Sequence, residues 1–228
     1  MSLILPMIGG GYIPAGGGPI PTGTILSSFA SPSSEPRGLA YDTSTGNLIS
    51  GDTNTDLIYI HSGVSSTILS SFSSPSSNLF GLTYNGTDLI SCDRIANRIY
   101  IHDGVSSTIL SSFASPSSNP SGLTYNGTNL ISCDRSSDKI YIHDGVSSTI
   151  LSSFSSSSIA PSGLAYLGTN LISCDLAADR IYIHDGVSST ILSSFSSPSG
   201  FPTGLTASDT NLISCDPIPD RIYIHANA

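Results

Sequence analysis

The feature that most constrains this sequence is a repeat with a fixed period. The tetrapeptide IYIH begins at Ile58, Ile99, Ile140, Ile181 and Ile222, each copy 41 residues after the last. The tripeptide LIS precedes every copy by ten residues. A period of about 40 residues is typical of proteins that stack one supersecondary unit, because each unit buries its apolar face only against its neighbours. The chain is therefore predicted to be an array of five units.

Each repeat contains four short apolar runs, which in the copy beginning at Gly122 are GLTY, NLISC, KIYIH and STILSSF. The runs are rich in Ile, Tyr, Thr and Leu and are bounded by Asn, Gly, Asp, Ser or Pro, which is the pattern of β-strands. Asn-Gly pairs at Asn85 and Asn126 predict type I′ turns between the first two strands. Four antiparallel strands per unit favour a β-propeller blade. A parallel β-solenoid is the alternative, but it would not need hairpins inside the unit.

Counting strands gives five blades and one displaced strand. The inner strands, A, begin at Gly38, Gly81, Gly122, Gly163 and Gly204, and the fifth blade ends without an outer strand, D. The run TGTILSSF, within residues 22–29, matches that missing strand. Because an open ring would expose strand edges, we predict that Thr22–Phe29 pairs with strand C at Arg221–His225. The prediction is an all-β, five-bladed propeller over residues 22–228, preceded by an extended arm of residues 1–21.

Three residue types recur at fixed positions of the repeat. They are His61, His102, His143, His184 and His225; Cys92, Cys133, Cys174 and Cys215; and Asp52, Asp93, Asp134, Asp175 and Asp216. The histidines end strand C, where neighbouring blades stand more than about 10 Å apart, too far to share a metal ion. The cysteines of strand B are too far apart for disulfides and are predicted to be buried thiols. The aspartates are predicted to accept N–H groups of their own turns, with a cation ring as the alternative. No metal ion or cofactor is expected.

Variation between repeats gathers in the B–C and D–A loops, whereas the A–B and C–D loops are nearly uniform. In a four-strand meander the two variable loop types share one face. All seven Lys and Arg residues lie in these loops or at the start of a neighbouring strand. We predict that a partner docks on this face, with Phe80, Arg94, Arg135 and Phe201 as candidate contacts. Neutral drift in exposed loops is the alternative.

Residues 1–21 lie outside the repeat and are rich in glycine and proline, which disfavour a helix or a central strand. They also carry Leu3, Ile4, Leu5, Tyr12 and Ile13, more apolar side chains than a solvated linker needs. We predict that this arm binds a partner in a protein assembly, such as a capsid or tail protein.

Composition restricts the classes of partner. The formal net charge is −9, with seven Lys and Arg against 16 Asp and Glu, so a nucleic-acid backbone has no basic surface to bind. No apolar run approaches the length needed to span a bilayer. The N-terminal MSLILPMIGGG lacks a basic flank and makes a poor signal peptide.

The core GLTYNGTNLISCD followed by DKIYIHDG resembles the repeats of NHL-like and SMP-30-like β-propellers. The matching stretches are Asn129–Asp134 with Lys139–Ile140, Asn170–Asp175 with Arg180–Ile181, and Asn211–Asp216 with Arg221–Ile222. The resemblance covers the repeats and implies the propeller fold. Such proteins include RNA binders, and lactonases whose metal site uses a Glu, an Asn and an Asp facing the channel. The single glutamate of this chain, Glu35, falls in a D–A loop.

Function is predicted from the near-identical blades, the Ser/Thr-rich surface and the arm. Because the channel strands are close to copies and no catalytic triad or metal triad can be assigned, the chain is expected not to be an enzyme. The expected role is structural or adhesive, as a bacteriophage virion decoration or tail-associated protein. A multivalent, glycan-binding, lectin-like propeller is the alternative. The expected location is the virion, with an extracellular or cytoplasmic location as the alternatives.

Overall fold

The computed structural model describes residues 20–228, which form five four-stranded antiparallel sheets arranged as a ring. The prediction of an all-β, five-bladed propeller is confirmed. Within the described residues, no helix has the length and apolar character needed to cross a bilayer.

The strands of each blade are lettered A to D from the axis outward, and numbered β1 to β20 along the chain. The A strands are β2 (Pro36–Asp42), β6 (Leu79–Tyr84), β10 (Pro120–Tyr125), β14 (Pro161–Leu167) and β18 (Gly204–Ala207). The B strands are β3 (Asn47–Asp52), β7 (Leu89–Asp93), β11 (Leu130–Asp134), β15 (Asn170–Asp175) and β19 (Leu212–Asp216).

The C strands are β4 (Leu57–His61), β8 (Arg98–His102), β12 (Lys139–His143), β16 (Arg180–His184) and β20 (Arg221–Asn227). The D strands are β5 (Ile68–Ser73), β9 (Ile109–Ala114), β13 (Ile150–Ser155), β17 (Ile191–Ser196) and, for the fifth blade, β1 (Pro21–Ala30).

Strand β1 closes the ring, as predicted. It pairs with β20 in the sheet order β1-β20-β19-β18, with Ile25 opposite His225 and Ala30 opposite Arg221. The Arg221 guanidinium fixes this pairing by donating to Ser28 Oγ at 2.8 Å. The outer edge of the fifth blade is thus covered from the other end of the described chain.

The core lies in the five boundaries between neighbouring blades, here called seams. Each apolar cluster takes side chains from two blades: Leu39 and Leu48 of the first blade pack with Ile213 and Ile222 of the fifth. The four cysteines are buried free thiols in these clusters, as predicted. Burial raises the pKa of Cys133 to about 12, so this thiol is protonated and unreactive at neutral pH.

The A–B turns differ in type from the prediction. Gly86 and Gly127 adopt positive φ angles of 97° and 91°, but the asparagines before them and the threonines after them do not. A type I′ turn needs positive φ at both central residues, so that assignment is wrong. Asn85 Oδ1 accepts the backbone N–H groups of Thr87 and Asp88 at 2.9 and 2.7 Å, and this side chain stabilises the turn instead.

Candidate binding surfaces at the two ends of the channel axis

The propeller axis is closed at its centre. The A strands approach so closely that no space for a water molecule remains among the glycines and leucines that line it. A Cβ atom on Gly204 would lie 2.6 Å from the carbonyl oxygen of Arg37 in the first blade. Any axial ligand site must therefore lie at one of the two ends.

The repeated histidines act in the seams. In the first four blades, Nε2 lies 2.8–2.9 Å from a strand-B serine Oγ, and Nδ1 lies 2.6–2.7 Å from a C–D loop carbonyl. The carbonyl requires a proton on Nδ1, so the serine hydroxyl donates to Nε2. Each ring also packs against the outer-strand phenylalanine of the preceding blade, as Phe72 does on His102. The predicted packing role is what the structure shows.

The repeated aspartates join two loops. Asp134 Oδ1 accepts the N–H groups of Ser136 and Ser137 in its own B–C turn, while Oδ2 accepts that of Asn119 in the D–A loop. Burial would raise the pKa of Asp134, but these hydrogen bonds outweigh burial and hold the pKa below its usual value. The predicted turn role is present, and the link to the second loop was not foreseen. Within residues 20–228, no group of His, Cys, Asp or Glu is arranged to hold a metal ion.

The end of the propeller that carries the B–C and D–A loops is called the variable face. Three of its seven basic residues clamp strands C and D together: Arg98, Arg180 and Arg221 donate to Ser112, Ser194 and Ser28. Lys139 occupies the same register and is exposed. The remaining three are Arg37, which lines the axis, and Arg94 and Arg135, whose charges interact within the same cluster.

Phe80 stands at the channel mouth between two of these arginines. The Arg37 and Arg94 guanidinium carbons lie 5.1 and 5.0 Å from its ring centroid, within cation–π range. Phe80 is only 4% exposed, so its ring contacts the two arginines and is not available to a partner. Arg37 also pairs with Glu35 at 2.5 Å.

The structure brings together only part of the predicted docking set. Arg94 and Arg135 are close enough that their charges interact, and both are half-buried. Phe201 is 45% exposed in the D–A loop before the fifth blade. Leu3, Ile4, Leu5, Tyr12 and Ile13 lie outside the described residues. The predicted docking set did not include Arg37. Arg37 and Phe80 occupy the repeat position that holds a serine or threonine in the other three blades, and these hydroxyl residues are here called the hydroxyl column.

That column joins the other blades around the channel mouth. Ser121 Oγ donates to the Pro161 carbonyl at 2.6 Å, Ser162 to Pro202 at 2.6 Å, and Thr203 to Pro36 at 2.9 Å. Each bond crosses one seam. The first and second blades carry Arg37 and Phe80 at this position and cannot form it.

The opposite end, called the uniform face, holds an axial cup of about 130 Å³. Its lining is almost entirely hydroxyl-bearing: Tyr41, Tyr84, Tyr125, Tyr166, Thr43, Thr83, Thr124, Thr206 and Ala207. Tyrosines on inner strands are usually core residues, but each of these four is half-buried. Burial, with Asp209 and Asp42, raises the pKa of Tyr41, so its phenol stays protonated. The cup is polar and uncharged.

The described part of the chain begins on the uniform face. Strand β1 starts beside Asn227, at the C–D end of the fifth blade, and the Ala228 N–H donates to the Ile20 carbonyl at 2.9 Å. Ile20 packs on the apolar cluster between the fourth and fifth blades, as does Ala207 of the cup.

Comparison with known proteins supports the fold alone. No protein-family model matches the chain, and no curated protein sequence does. Among solved structures, the crystal structure of Myxococcus xanthus glutaminyl cyclase is similar, with a TM-score of 0.75 and 11% sequence identity. The alignment covers 90% of this chain and 95% of that one.

This likeness corrects the prediction that the chain is not an enzyme. That prediction used the near-identical channel strands and the lack of an assignable triad as arguments against catalysis, and it is wrong because a protein with the same architecture carries the name of an enzyme. At this identity the likeness does not transfer any activity or residue role.

Proposed function

We propose that the protein is an interaction module, held in an assembly through residues 1–19 and presenting its variable face outward. One observation carries the proposal. The chain enters the described fold on the uniform face, while sequence variation and positive charge gather on the opposite face.

Exposed apolar side chains support an outward docking role for the variable face. Ile95, Ile159, Ile218 and Phe201 are 72%, 72%, 59% and 45% exposed, and all four lie in its loops. Variable loops on a rigid β-scaffold are a common way to present binding residues. The loops are held rigid by the aspartates that bond both loop types.

The assembly we propose is a bacteriophage virion, with the protein as an adhesive decoration or tail-associated component. A capsid or tail protein would bind residues 1–19, where Leu3, Ile4, Leu5, Tyr12 and Ile13 supply the apolar contacts. Nearly identical blades and a Ser/Thr-rich exterior suit a structural module that presents its variable face to a binding partner. The location we propose is accordingly the virion.

We also propose the finer repeat relationship to NHL-like and SMP-30-like propellers. Its support is the recurring Asn-Leu-Ile-Ser-Cys-Asp stretch followed by a basic residue and isoleucine, as at Asn129–Asp134 and Lys139–Ile140. The relationship concerns the repeat only, and the triad of an SMP-30-like metal site has no counterpart here.

The assembly proposal is tested by adding purified protein to bacteriophage particles that lack it. The full chain should co-sediment with the particles at a saturable ratio. A variant lacking residues 1–19 should remain in the supernatant while retaining the thermal unfolding of the propeller, because Ile20 and β1 are kept.

A matched surface variant tests the orientation. Phe201→Ser with Ile218→Ser alters the variable face and should co-sediment as the full chain does. Particle binding that survives the deletion, or that is lost in the surface variant, would contradict the proposed anchoring.

Glycan binding is a second candidate because of the axial cup. Within residues 20–228 the hydroxyls of Tyr41, Tyr84, Tyr125 and Tyr166 make no hydrogen bond, so they can serve the hydroxyl groups of one small saccharide. NMR titration with monosaccharides should shift resonances at the cup, and Tyr125→Phe should weaken the shift. Retained shifts in Thr108→Ala, on a C–D loop of the same face, would confirm the site; a glycan panel without any binding would remove this candidate.

A further inference from the structure

We infer that the channel mouth of the variable face is an oxyanion-binding site, formed by Arg37, Arg94 and Arg135 and specific for a carboxylate or phosphate group. The inference concerns the ligand of this end of the axis and does not depend on the assembly proposed above.

The first support is an accumulation of like charge on an acidic protein. The chain has a net charge of −9 and seven basic residues, yet Arg37 and Arg94 share the Phe80 ring and Arg135 lies near enough for its charge to act on Arg94. Burial lowers the pKa of Arg94, and the charges of Arg135 and Arg37 lower it further, with partial compensation from Asp134. Such a cluster is costly unless an anion accompanies it.

The second support is unused donor capacity. Within residues 20–228, the Arg94 and Arg135 guanidinium groups form neither an ion pair nor a side-chain hydrogen bond. Arg37 uses one nitrogen for Glu35, and its Nε is fully buried without a partner. Asp134 does not form a direct bond to Arg94; its oxygens instead accept N–H groups from Asn119, Ser136 and Ser137.

The third support is rigidity. Phe80 is buried, and the guanidinium carbons of Arg37 and Arg94 both lie over its ring, 5.1 and 5.0 Å from the centroid, so this contact positions both groups before a ligand arrives. A guanidinium fork matches the two oxygens of a carboxylate or phosphate. The mouth itself has no space for a water molecule, so the site takes one oxyanion group at its surface and not a large buried ligand.

The chain offers a matched control for the experiment. Arg135→Gln removes one positive charge from the cluster, and Lys139→Gln removes the same charge four residues away on the same face. Arg135 does not stack on Phe80, so its replacement leaves the stack in place. Each protein is titrated with inorganic phosphate and, separately, with acetate, against sodium chloride at constant ionic strength. Binding is followed by NMR shifts of arginine Nε–H groups and by thermal unfolding.

The wild-type protein and K139Q should bind at least one anion more tightly than chloride and unfold at a higher temperature in it. R135Q should lose about tenfold in affinity, since a charge-assisted bond is removed. The anion with the greater effect identifies the group, carboxylate or phosphate. Equal shifts in chloride, or equal losses in R135Q and K139Q, would overturn the site. Anion binding without particle binding would count against the assembly proposal alone.

Discussion

The seams between blades follow two different designs at the channel mouth. At the seams between blades three and four, four and five, and five and one, a serine or threonine hydroxyl bonds a proline carbonyl across the boundary. At the other two seams, Arg37 and Phe80 occupy that position and stack on each other. All five seams thus keep an apolar cluster, but around Arg37 and Phe80 the cross-seam hydrogen bond is replaced by a contact between a charged and an aromatic side chain. The difference teaches that changing the residue at one repeat position in two neighbouring blades is enough to create a unique site in a nearly symmetric ring.

By contrast, a histidine that ends strand C packs in every seam, so acid should weaken all five seams, and most of all the one that contains His225. Burial lowers the pKa of each histidine, and that of His225 falls to about 4. The unfolded chain therefore binds more protons between pH 6.5 and about 4. The free energy of unfolding should be highest above pH 6.5 and should fall as the pH drops through that window. His225 alone should account for roughly 3 kcal/mol of this fall.

Chemical denaturation across that range measures the effect. His225→Gln cannot titrate and should reduce the pH slope by up to one proton. The carboxyls with lowered pKa, Asp42 and Asp134, add to the loss only as pH approaches and passes below their usual value of 3.8, so the upper part of the window reports the histidines. A free energy of unfolding that stays constant from pH 6.5 to 4 would contradict this account.

In the seam between blades one and two, a larger side chain in one strand compensates for a smaller one in its neighbour. Gly51 replaces the cysteine found in the other four blades, and Leu79 replaces the proline. A Cβ on Gly51 would overlap the Leu79 side chain, so the leucine fills the space that the cysteine vacates. Leu79→Ala should therefore cost about 3 kcal/mol of unfolding free energy.

A double-mutant cycle tests the pairing. Gly51→Cys alone should destabilise by overpacking, whereas Gly51→Cys with Leu79→Pro, which reproduces the other blades, should recover most of the loss. Additive effects of the two changes would show that the residues do not compensate.

The closest backbone approach distinguishes the seams in a third way. A Cβ on Gly204 would lie 2.6 Å from the Arg37 carbonyl, whereas one on Gly38 would lie 2.9 Å from the Phe80 carbonyl. Gly204→Ala should cost about 2 kcal/mol, and Gly38→Ala less, because the backbone must move further in the first case. Thermal unfolding of the two variants ranks them, and the reverse order would refute the explanation.

The fold could be predicted from the sequence because the features that determine it, the strands, the turns and the repeat period, are each visible in a short stretch of the chain. Alternating apolar runs, turn residues and the 41-residue period give the blades, and the orphan run before the first blade gives the closing strand. The axial sites depend on residues that the ring brings together from different blades. Arg37, Phe80 and Arg94 are distant in sequence, and only the interrupted hydroxyl column hinted at their meeting. The cup was missed because tyrosines on inner strands are usually core residues, and only ring closure exposes one side of each.

The smallest expected effect isolates the hydroxyl seam itself. Ser121→Ala removes the donor to the Pro161 carbonyl and should cost about 1 kcal/mol, since the buried oxygen loses its partner. Ser121→Thr keeps a hydroxyl, as Thr203 does at the next seam but one, and should stay within about 0.5 kcal/mol of the parent. Equal losses in both variants would mean that side-chain volume, and not the cross-seam bond, sets the stability of this position. The two seam designs would then differ in charge alone, and the arginine cluster would be the whole of what breaks the fivefold symmetry at the mouth.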